Sequence, residues 1–345
     1  MTLRVGFTGG GNICDTHIRA VAEVPGLEAV AVCGSNAVKV GALAEKYGLA
    51  AAPALAAMLD AHALDLLCIG SPSGVHTDEI ALAASRGCHV LTEKPLDVTL
   101  ERVDTAIEAV ERAGVSLGVF FQDRCTPAFI EARDAIAAGR LGRILLVDAR
   151  VKWYRAPEYY RSAPWRGSPS LDGGGALINQ GIHTVDLLLF LLGEVTEVQA
   201  RAATVLHDIE VEDTLVATLS FASGAIGTLQ ATTAAYPGYP RRVEITGTDG
   251  TLILEHDRIA GWDLKDGHVD GTTLTSATRS ASTAVVADAS PHRRVVEDFV
   301  AALQSGRRPA CDAREGRRSV ALVEALYDSA RTRVPVAVTR VVLPG

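Results

Sequence analysis

The chain has 345 residues, of which 48% are hydrophobic and 21% are charged, and its formal net charge is −8. This length exceeds what one hydrophobic core usually serves, so it predicts two domains. The negative charge argues against a nucleic-acid partner, and no apolar run reaches the ~18 residues that a membrane span needs.

The first part of the chain alternates short apolar runs with helical patterns, as successive βα units do. Strands are predicted at 3–9, 27–33, 64–70, 88–91 and 115–121, and helices at 12–24, 39–48, 75–87 and 100–114. The alternation predicts an α/β domain over residues 1–122, with a Rossmann-type, doubly wound parallel sheet and helices on both faces.

The pattern changes after residue 125. A helix is predicted at 126–139, a strand-like run at 143–155, a helix at 175–192, strands at 197–206, 213–221, 224–235 and 241–256 with a tight turn at 248–250, a loop at 268–290, and helices at 292–306 and 313–330. Strand after strand without helices between them predicts a mostly antiparallel open sheet. Residues 123–345 are therefore predicted to form an α+β domain with a large open sheet.

Three glycines follow the first predicted strand and lead into a helix. Gly9 and Gly11 occupy the G-x-G positions of a dinucleotide-binding turn, and the small residue Cys14 replaces the third glycine. Asn12 and Ile13 open the helix, whose free N–H groups and dipole favour a pyrophosphate. We predict a nicotinamide dinucleotide here, and a purely structural turn is the alternative.

The end of the second predicted strand bears on the type of cofactor. NAD-specific proteins carry Asp or Glu there, which binds the ribose 2′-hydroxyl. This chain has Gly34 instead, followed by Ser35 and Asn36, with Lys39 further on. No carboxylate is present to repel a 2′-phosphate, and no arginine is present to bind one. The cofactor is therefore predicted to be NAD(P), and the missing carboxylate favours NADP.

Lys94 lies between Glu93 and Pro95, directly after a predicted strand. Ligands of open α/β sheets bind at the carboxyl ends of the strands, which is where we expect Lys94. An ammonium beside a positive nicotinamide ring loses basicity and can exchange a proton near neutral pH. A surface lysine paired with Glu93 is the alternative that the tripeptide alone leaves open.

The glycines at 173–175 precede a predicted helix that carries polar side chains. Asn179 and His183 are four residues apart and should lie on one face of an α-helix, with Asp186 adjacent. The glycines allow a close approach of the backbone to another group. A core histidine paired with Asp186 is the alternative for His183.

The glycine loop, the stretch SPSGVHTDEIALAASRGCHVLTEKPL (71–96) and the GGGALINQGIH segment together resemble the Gfo/Idh/MocA family of sugar and cyclitol oxidoreductases. The resemblance covers essentially the whole chain. It implies that Lys94 is catalytic, lies close to nicotinamide and substrate, and precedes a proline in a peptide that is often cis. It implies that His183 is the catalytic or substrate-orienting histidine. Asn179 stands where inositol dehydrogenases commonly have Asp, and an amide should position a hydroxyl rather than relay a proton.

The resemblance also implies further cofactor contacts from the region around the EKP tripeptide. Together with the glycine loop and the end of the second strand, the predicted cofactor-binding residues are Gly9, Gly11, Asn12, Ile13, Ser35, Asn36, Lys39, Ser71, Pro72, His76, Glu93 and Lys94.

The segment 151–175 is rich in Trp, Tyr and Arg. Aromatic faces stack on sugar or base rings, and arginines bind carboxylates or phosphates, whereas an aromatic strand at a subunit interface is the alternative. The segment resembles the nucleotide-sugar branch of the family, which includes UDP-N-acetylglucosaminuronate 3-dehydrogenases. That resemblance implies that Arg155 or Arg166 meets a uronate carboxylate or a pyrophosphate. The predicted substrate-binding residues are Tyr154, Arg155, Trp165, Arg166, Asn179 and Gln180.

These patterns predict an oxidoreductase that moves a hydride between nicotinamide and a ring carbinol carbon of a sugar, cyclitol or nucleotide sugar. A ketosugar reductase, a redox-neutral NAD-dependent glycosidase and a non-catalytic cofactor-binding sensor on the same fold remain alternatives. Relatives commonly pair their second-domain sheets, so we expect a homodimer or homotetramer. With no signal peptide and no metal-ligand spacing among the six cysteines, we expect a cytoplasmic protein with free thiols and no bound metal.

Overall fold

The structure is a computed structural model that describes residues 2–163, 165–268 and 288–339. The chain divides into two compact units. Unit 1 is Met1–Cys125 with Ala284–Arg317, and unit 2 is Thr126–Thr283 with Arg318–Gly345. Within the described ranges, no helix is both long enough and apolar enough to cross a membrane. Most of the predicted loop at 268–290 lies outside the described residues.

Unit 1 is built on a parallel sheet. Its strands are β1 (Leu3–Thr8), β2 (Leu27–Cys33), β3 (Ala50–Ala52), β4 (Leu66–Ile69), β5 (His89–Thr92) and β6 (Leu117–Val119). Its helices are α1 (Asn12–Ala22), α2 (Ala37–Tyr47), α3 (Leu55–Ala61), α4 (His76–Ser85), α5 (Leu100–Ala113), α9 (Ser290–Ser305) and the start of α10 (Ala313–Thr332). The strand order is β3-β2-β1-β4-β5-β6 and every pairing is parallel, which confirms the predicted Rossmann sheet.

Helix α9 belongs to the hydrophobic core of unit 1. Its Val296 and Phe299 are buried in one cluster with Phe7 of β1 and Ile18 of α1. A Cβ atom on Gly118 would lie 2.7 Å from the Phe299 ring, so this glycine makes room for the helix against β6. The sequence-based division assigned every residue after 122 to the second domain, whereas the chain returns to unit 1 through α9.

Unit 2 is built on a nine-stranded sheet. Its strands are β7 (Ile144–Lys152), β8 (Val195–Ala203), β9 (Thr214–Phe221), β10 (Ile226–Thr232), β11 (Arg242–Gly247), β12 (Gly250–Glu255), β13 (Arg258–Leu264), β14 (Gly267–His268) and β15 (Val336–Ala337). Its helices are α6 (Pro127–Ala137), α7 (Pro157–Arg161), α8 (Ile182–Leu192) and the rest of α10.

The order of this second sheet is β14-β13-β12-β11-β7-β10-β9-β8-β15. Every neighbouring pair is antiparallel except β7 and β10, which confirms the predicted mostly antiparallel open sheet. The segment predicted as one helix at 175–192 is not a continuous α-helix. A π-helical turn over Ala176–Gly181 comes first, and α8 follows it.

Replacing Phe299 with Ala should destabilise unit 1, because this ring is 1% exposed in its core. Loss of a buried Phe typically costs about 3–5 kcal/mol of unfolding free energy. Urea denaturation followed by far-ultraviolet circular dichroism checks this value, because all three tryptophans lie in unit 2 and their fluorescence would not report on unit 1. Gln304→Ala changes an exposed side chain of the same helix and should shift the unfolding midpoint little. Equal stabilities of the two variants would contradict the placement of α9 in the core.

Candidate active site

The glycine loop after β1 has the shape that a dinucleotide needs. Gly9 has φ +97°, and a Cβ atom there would lie 2.5 Å from the Gly70 carbonyl oxygen. Gly11 is exposed, a Cβ atom on it would meet nothing within 4 Å, and it caps α1 without a side-chain hydrogen bond. Asn12 begins α1 and is exposed, whereas Cys14 is buried. The first N–H groups of α1 are therefore accessible to a pyrophosphate, so these residues fit a dinucleotide.

The end of β2 lies against this loop. A Cβ atom on Gly34 would come 3.1 Å from the Gly9 carbonyl carbon, so the position favours glycine. Ser35, Asn36 and Lys39 follow and are exposed. Asn36 Oδ1 accepts a hydrogen bond from the Lys39 N–H at 3.0 Å, which caps α2. The Ser35 hydroxyl and the Lys39 ammonium take no part in this cap.

A half-buried carboxylate joins the ends of β1 and β4. Glu79 Oε2 accepts hydrogen bonds from Thr8 Oγ1 at 2.7 Å and from Ser71 Oγ at 2.8 Å. Burial raises the pKa of Glu79, and the two hydroxyl groups partly offset that effect. The Ser71 hydroxyl, predicted to contact the cofactor, thus donates to Glu79, and Pro72 leads into a 3₁₀ turn at Ser73–Val75.

His76 connects the loop after β4 to the EKP tripeptide. It is fully buried, with Nε2 3.0 Å from the Ser71 carbonyl oxygen and Nδ1 2.9 Å from the Pro95 carbonyl oxygen. The sequence predicted a cofactor contact for this side chain. Because both of its nitrogens face carbonyl oxygens, the structure gives His76 the role of holding two loops together.

Glu93 is also turned into the protein. Its Oε1 lies 3.0 Å from His17 Nε2 and 3.5 Å from His292 Nε2, and its Oε2 accepts the Lys94 N–H at 3.2 Å. Burial alone would raise the pKa of Glu93, but hydrogen bonds from the two histidines bring it well below its ordinary value. Burial lowers the pKa of His17. Glu93 therefore anchors the backbone at Lys94, and its contact with the cofactor stays a prediction.

The group His17, Glu93 and His292 is compact enough to share a cation, because its ligand atoms lie within 4.8 Å of one another. However, Nδ1 of each imidazole is buried with no hydrogen-bond partner in the described chain. Histidines that bind metals generally donate this N–H to a neighbouring group. The contacts are better described as a hydrogen-bonded network, and the His17 ring stacks on Phe120 at 4.2 Å.

Lys94 lies two residues beyond the end of β5 and is half-buried. The Lys94–Pro95 peptide is cis, as the resemblance implied. Gly9 follows β1, Ser35 follows β2 and Ser71 follows β4, so all of these residues share the carboxyl edge of the parallel sheet with Lys94. This is the edge at which open α/β sheets bind their ligands.

In unit 2, the segment around α8 presents three polar side chains. Asn179 and Gln180 lie in the π-helical turn and His183 lies in α8, and all three are half-buried among mostly buried neighbours. The prediction that Asn179 and His183 stack one turn apart assumed a continuous α-helix, which the π turn replaces. Asp186, one turn further on, is fully buried and accepts a hydrogen bond from Ser319 Oγ at 2.9 Å.

A chain of hydrogen bonds fixes the two amides of the π turn. Asn179 Nδ2 donates to Asp172 Oδ1, and Asn179 Oδ1 accepts from Gln180 Nε2 at 2.7 Å. Gln180 Oε1 in turn accepts from Arg155 Nη2 at 2.9 Å. Asp172 is buried, and its other oxygen accepts the Gly167 N–H at 2.8 Å. The side chains of both amides therefore have fixed orientations.

Two arginines adjoin this chain of hydrogen bonds. Arg155 is buried, and burial lowers its pKa. The Arg166 guanidinium carbon lies 4.0 Å from the centre of the Tyr159 ring and 4.5 Å from that of Trp165. Tyr159 also accepts a hydrogen bond from Gln180 Nε2 at 3.1 Å, so this ring links Arg166 to the amide pair.

The structure therefore joins the side chains of five of the six predicted substrate residues, directly or through Tyr159. Tyr154 is joined through its backbone, since its carbonyl oxygen accepts a hydrogen bond from Arg155 Nη1 at 3.4 Å. Its ring packs edge-on against Tyr236 at 5.2 Å. Sequence reasoning missed Asp172 and Tyr159. Both lie inside the segment that the sequence singled out, but only the folded contacts distinguish them from their neighbours.

Two family descriptions match the chain. Residues 3–121 match the oxidoreductase family with an NAD-binding Rossmann fold, and residues 129–253 match the GFO/IDH/MocA C-terminal domain. D-apiose dehydrogenase of Paraburkholderia graminis is 31% identical over 94% of this chain and 86% of that protein. Inositol 2-dehydrogenase of Rhizobium meliloti is 28% identical over 98% of this chain and 100% of that protein.

Among solved structures, the WlbA dehydrogenase of Bordetella pertussis in complex with NADH and UDP-GlcNAcA superimposes with a TM-score of 0.87 at 33% identity. The alignment covers 99% of this chain and 98% of that one. The fold and the glycine loop define an NAD-binding oxidoreductase. The chain belongs to the Gfo/Idh/MocA family, which confirms the predicted family and enzyme class.

Asn179→Asp should make the stability of the protein depend on pH, because it places a second carboxylate against Asp172. Repulsion raises the folded-state pKa of one carboxyl group, so stability is retained at low pH and lost as pH rises through that raised pKa. We expect a loss of about 1–3 kcal/mol at pH 8 and a smaller loss at pH 5.

Thermal and urea unfolding at pH 5 and pH 8 measure this difference. Asn179→Ala removes the same hydrogen bonds without adding a charge, and its deficit should be similar at both pH values. The same pH dependence in both variants would show that Asp172 does not interact with the residue at position 179.

Proposed function

We propose that this protein is an NAD(P)-dependent dehydrogenase that oxidises a ring carbinol of an anionic sugar, either a uronate or a nucleotide sugar. The group formed by Asn179, Gln180, Arg155 and Arg166 supports this proposal most directly. It combines oriented amides, which suit sugar hydroxyls, with cations that lie on aromatic faces.

In this proposal, a dinucleotide held by the glycine loop at 9–13 would supply the hydride acceptor. Lys94 takes the hydroxyl proton as the carbinol carbon gives up its hydride, and a ketone results; in the reverse direction Lys94 returns the proton. His183 and Asn179 hold neighbouring hydroxyls, and Asn179 can only position one because an amide cannot exchange a proton at neutral pH. Orientation of the reacting carbon supplies much of the acceleration.

The anionic character of the substrate rests on the arginines. Arg166 lies across two aromatic rings, and its Nε has no hydrogen-bond partner among the described residues. An arginine stacked in this way can present its planar edge to a carboxylate or a phosphate. The similar WlbA dehydrogenase was solved with UDP-GlcNAcA, a ligand that carries both groups.

We propose NADP as the preferred cofactor. Gly34 leaves no carboxylate to repel a 2′-phosphate, and Ser35 and Lys39 are exposed beside it. Within the described residues, no ion pair engages the Lys39 ammonium, so it is available to a phosphate. The location we propose is the cytoplasm, because all six cysteines are free thiols and five of them are buried.

The central experiment follows the absorbance of reduced nicotinamide. Purified protein is offered NAD⁺ or NADP⁺ with inositols, free aldoses, uronates and UDP-sugars. We expect a rise with a uronate or a UDP-sugar, and a faster one with NADP⁺. Lys94→Ala should lower kcat by about 10²–10⁴-fold and should weaken cofactor binding far less.

Lys265→Ala, at an exposed lysine of unit 2, is the control and should retain full activity. Near-normal turnover of Lys94→Ala would remove this lysine from the mechanism. Bound cofactor with no absorbance change for any alcohol would favour the reductase, the redox-neutral glycosidase or the sensor. NAD(P)H with ketosugars then tests the reductase.

We also propose that residues 1–122 bind the dinucleotide and that the later part of the chain binds substrate and forms a homodimer or homotetramer. One face of the unit 2 sheet is buried, and its other face carries exposed apolar side chains at Leu146, Val216 and Ile226. Ile226 pairs directly with Leu146 in the β7–β10 register, so these two side chains form a continuous patch.

Sedimentation velocity should therefore give the mass of two or four chains. Ile226→Lys, which places a charge in this patch, should shift the distribution towards smaller species. Val38→Lys alters a side chain that is 83% exposed on α2 and should leave the mass unchanged. A monomeric wild-type protein would disprove the proposed assembly.

A further inference from the structure

The start of the π-helical turn is held by a residue from a distant part of the chain. Glu212 Oε2 accepts the Gly175 N–H at 2.9 Å, and its Oε1 accepts the Leu177 N–H at 2.9 Å. The main-chain oxygen of Glu212 accepts the N–H between them, that of Ala176, at 2.9 Å. One residue therefore satisfies three successive N–H groups that the turn itself leaves without partners.

Tyr327 of α10 completes the arrangement. Its hydroxyl accepts the next N–H in line, that of Ile178, at 3.3 Å and donates to Glu212 Oε1 at 2.9 Å. Burial raises the pKa of Tyr327 well above its ordinary value, and the neighbouring carboxylate adds to this shift. The hydroxyl thus remains a donor to Glu212 while it accepts from the backbone.

The glycines before the turn are explained by these two residues. A Cβ atom on Gly175 would overlap the Glu212 carbonyl oxygen, and one on Gly174 would overlap the Tyr327 hydroxyl. Gly174 also has φ +154°, which disfavours other residues. The close approach that the glycine run predicted is therefore an approach to Glu212 and Tyr327.

This arrangement is costly in terms of stability. Glu212 is 9% exposed, and burial raises its pKa although backbone N–H groups and the Tyr327 hydroxyl lower it. A π-helical turn is itself rare and is often found at functional sites. The contact with the buried Glu212 and the π turn occur together at the segment that carries Asn179 and Gln180. This segment leads directly into the first turn of α8, which carries His183.

We propose that Glu212 and Tyr327 are positioning residues that hold the π turn in the conformation presenting Asn179, Gln180 and His183 to the substrate. This role rests on the proposed function. Neither residue needs to touch the substrate, because the N–H groups they bind lie in the residues immediately before Asn179. Loss of either partner changes the direction of the amides and of His183.

The test compares Glu212→Gln and Tyr327→Phe with the wild type in the substrate assay. In Glu212→Gln, the side-chain NH₂ group replaces a carboxylate oxygen and faces a backbone N–H donor. In Tyr327→Phe, the Ile178 N–H loses the hydroxyl that accepts it. A displacement near 1 Å can cost up to about 100-fold in rate, so we expect kcat/KM for the sugar to fall roughly 10–100-fold. The NAD(P)H Kd, measured by fluorescence, should stay within about twofold.

Tyr239→Phe removes the hydroxyl of an exposed tyrosine in unit 2 and is the matched control. The double variant Glu212→Gln/Tyr327→Phe should lose little more than Glu212→Gln alone, because both side chains belong to one network. Hydrogen exchange measured on peptides covering residues 175–183 should be faster in the variants, and circular dichroism establishes that they are folded.

Wild-type kcat/KM in both folded variants would overturn the positioning role, even if exchange at 175–183 is faster. A parallel loss of cofactor affinity would also overturn it, because that result indicates general disruption. Failure of the proposed function looks different, since the wild type itself would then turn over no sugar. In that case the positioning role is rejected as well, because it is defined by presentation to the substrate.

Discussion

Buried carboxylates that accept backbone N–H groups determine the local geometry in both units. A carboxylate has two oxygens and can accept several hydrogen bonds, but its burial is unfavourable unless most of that capacity is used. Glu93 in unit 1 and Glu212 in unit 2 each bind the backbone next to a proposed functional side chain. Asp213 likewise accepts backbone N–H groups, the three successive ones at 205–207, and these bonds shape the loop before β9.

The two halves of the proposed mechanism therefore rest on similar physics. In unit 1 the glycine loop that precedes α1 leaves N–H groups free. A network of His17, His292 and Glu93 fixes the backbone that carries Lys94. In unit 2 the N–H groups at 175–178 are instead bound by Glu212, through its side chain and its main-chain oxygen, and by Tyr327. The side-chain amides that follow have fixed orientations. One unit leaves its N–H groups accessible to a ligand, whereas the other uses them to orient side chains.

Much of the fold was predictable from the sequence. Most Rossmann strands are apolar runs, of which β1, β2 and β4 are followed directly by glycine, and a parallel sheet follows from their alternation with helices. β3 was missed because its three alanines have little strand propensity, and β13 was missed because its apolar residues are interrupted by Gly261 and Asp263. The return of α9 to unit 1 could not be predicted, because its apolar stripe would suit either core.

For the site, sequence motifs predicted roles for Lys94, His183 and Asn179, and these roles stay predictions. Lys94 follows β5 as expected, whereas Asn179 lies in a π turn and not in one continuous α-helix with His183. The inward orientation of Glu93 and His76 was missed, because it depends on partners such as His17 and Pro95 that other elements bring together. The π turn was missed for the same reason, since Glu212 and Tyr327 lie far along the chain from the glycines.

The discontinuity of unit 1 has a consequence for the synthesis of the protein. All six strands of its sheet lie in the first 125 residues, but Val296 and Phe299 complete the core only when α9 is present. On the ribosome, the apolar surface of α1 and β1 therefore stays uncovered while the whole strand region of unit 2 is translated. Truncation after Cys125 would leave the same surface exposed to water, so the dinucleotide-binding unit is not separable by a single cut of the chain.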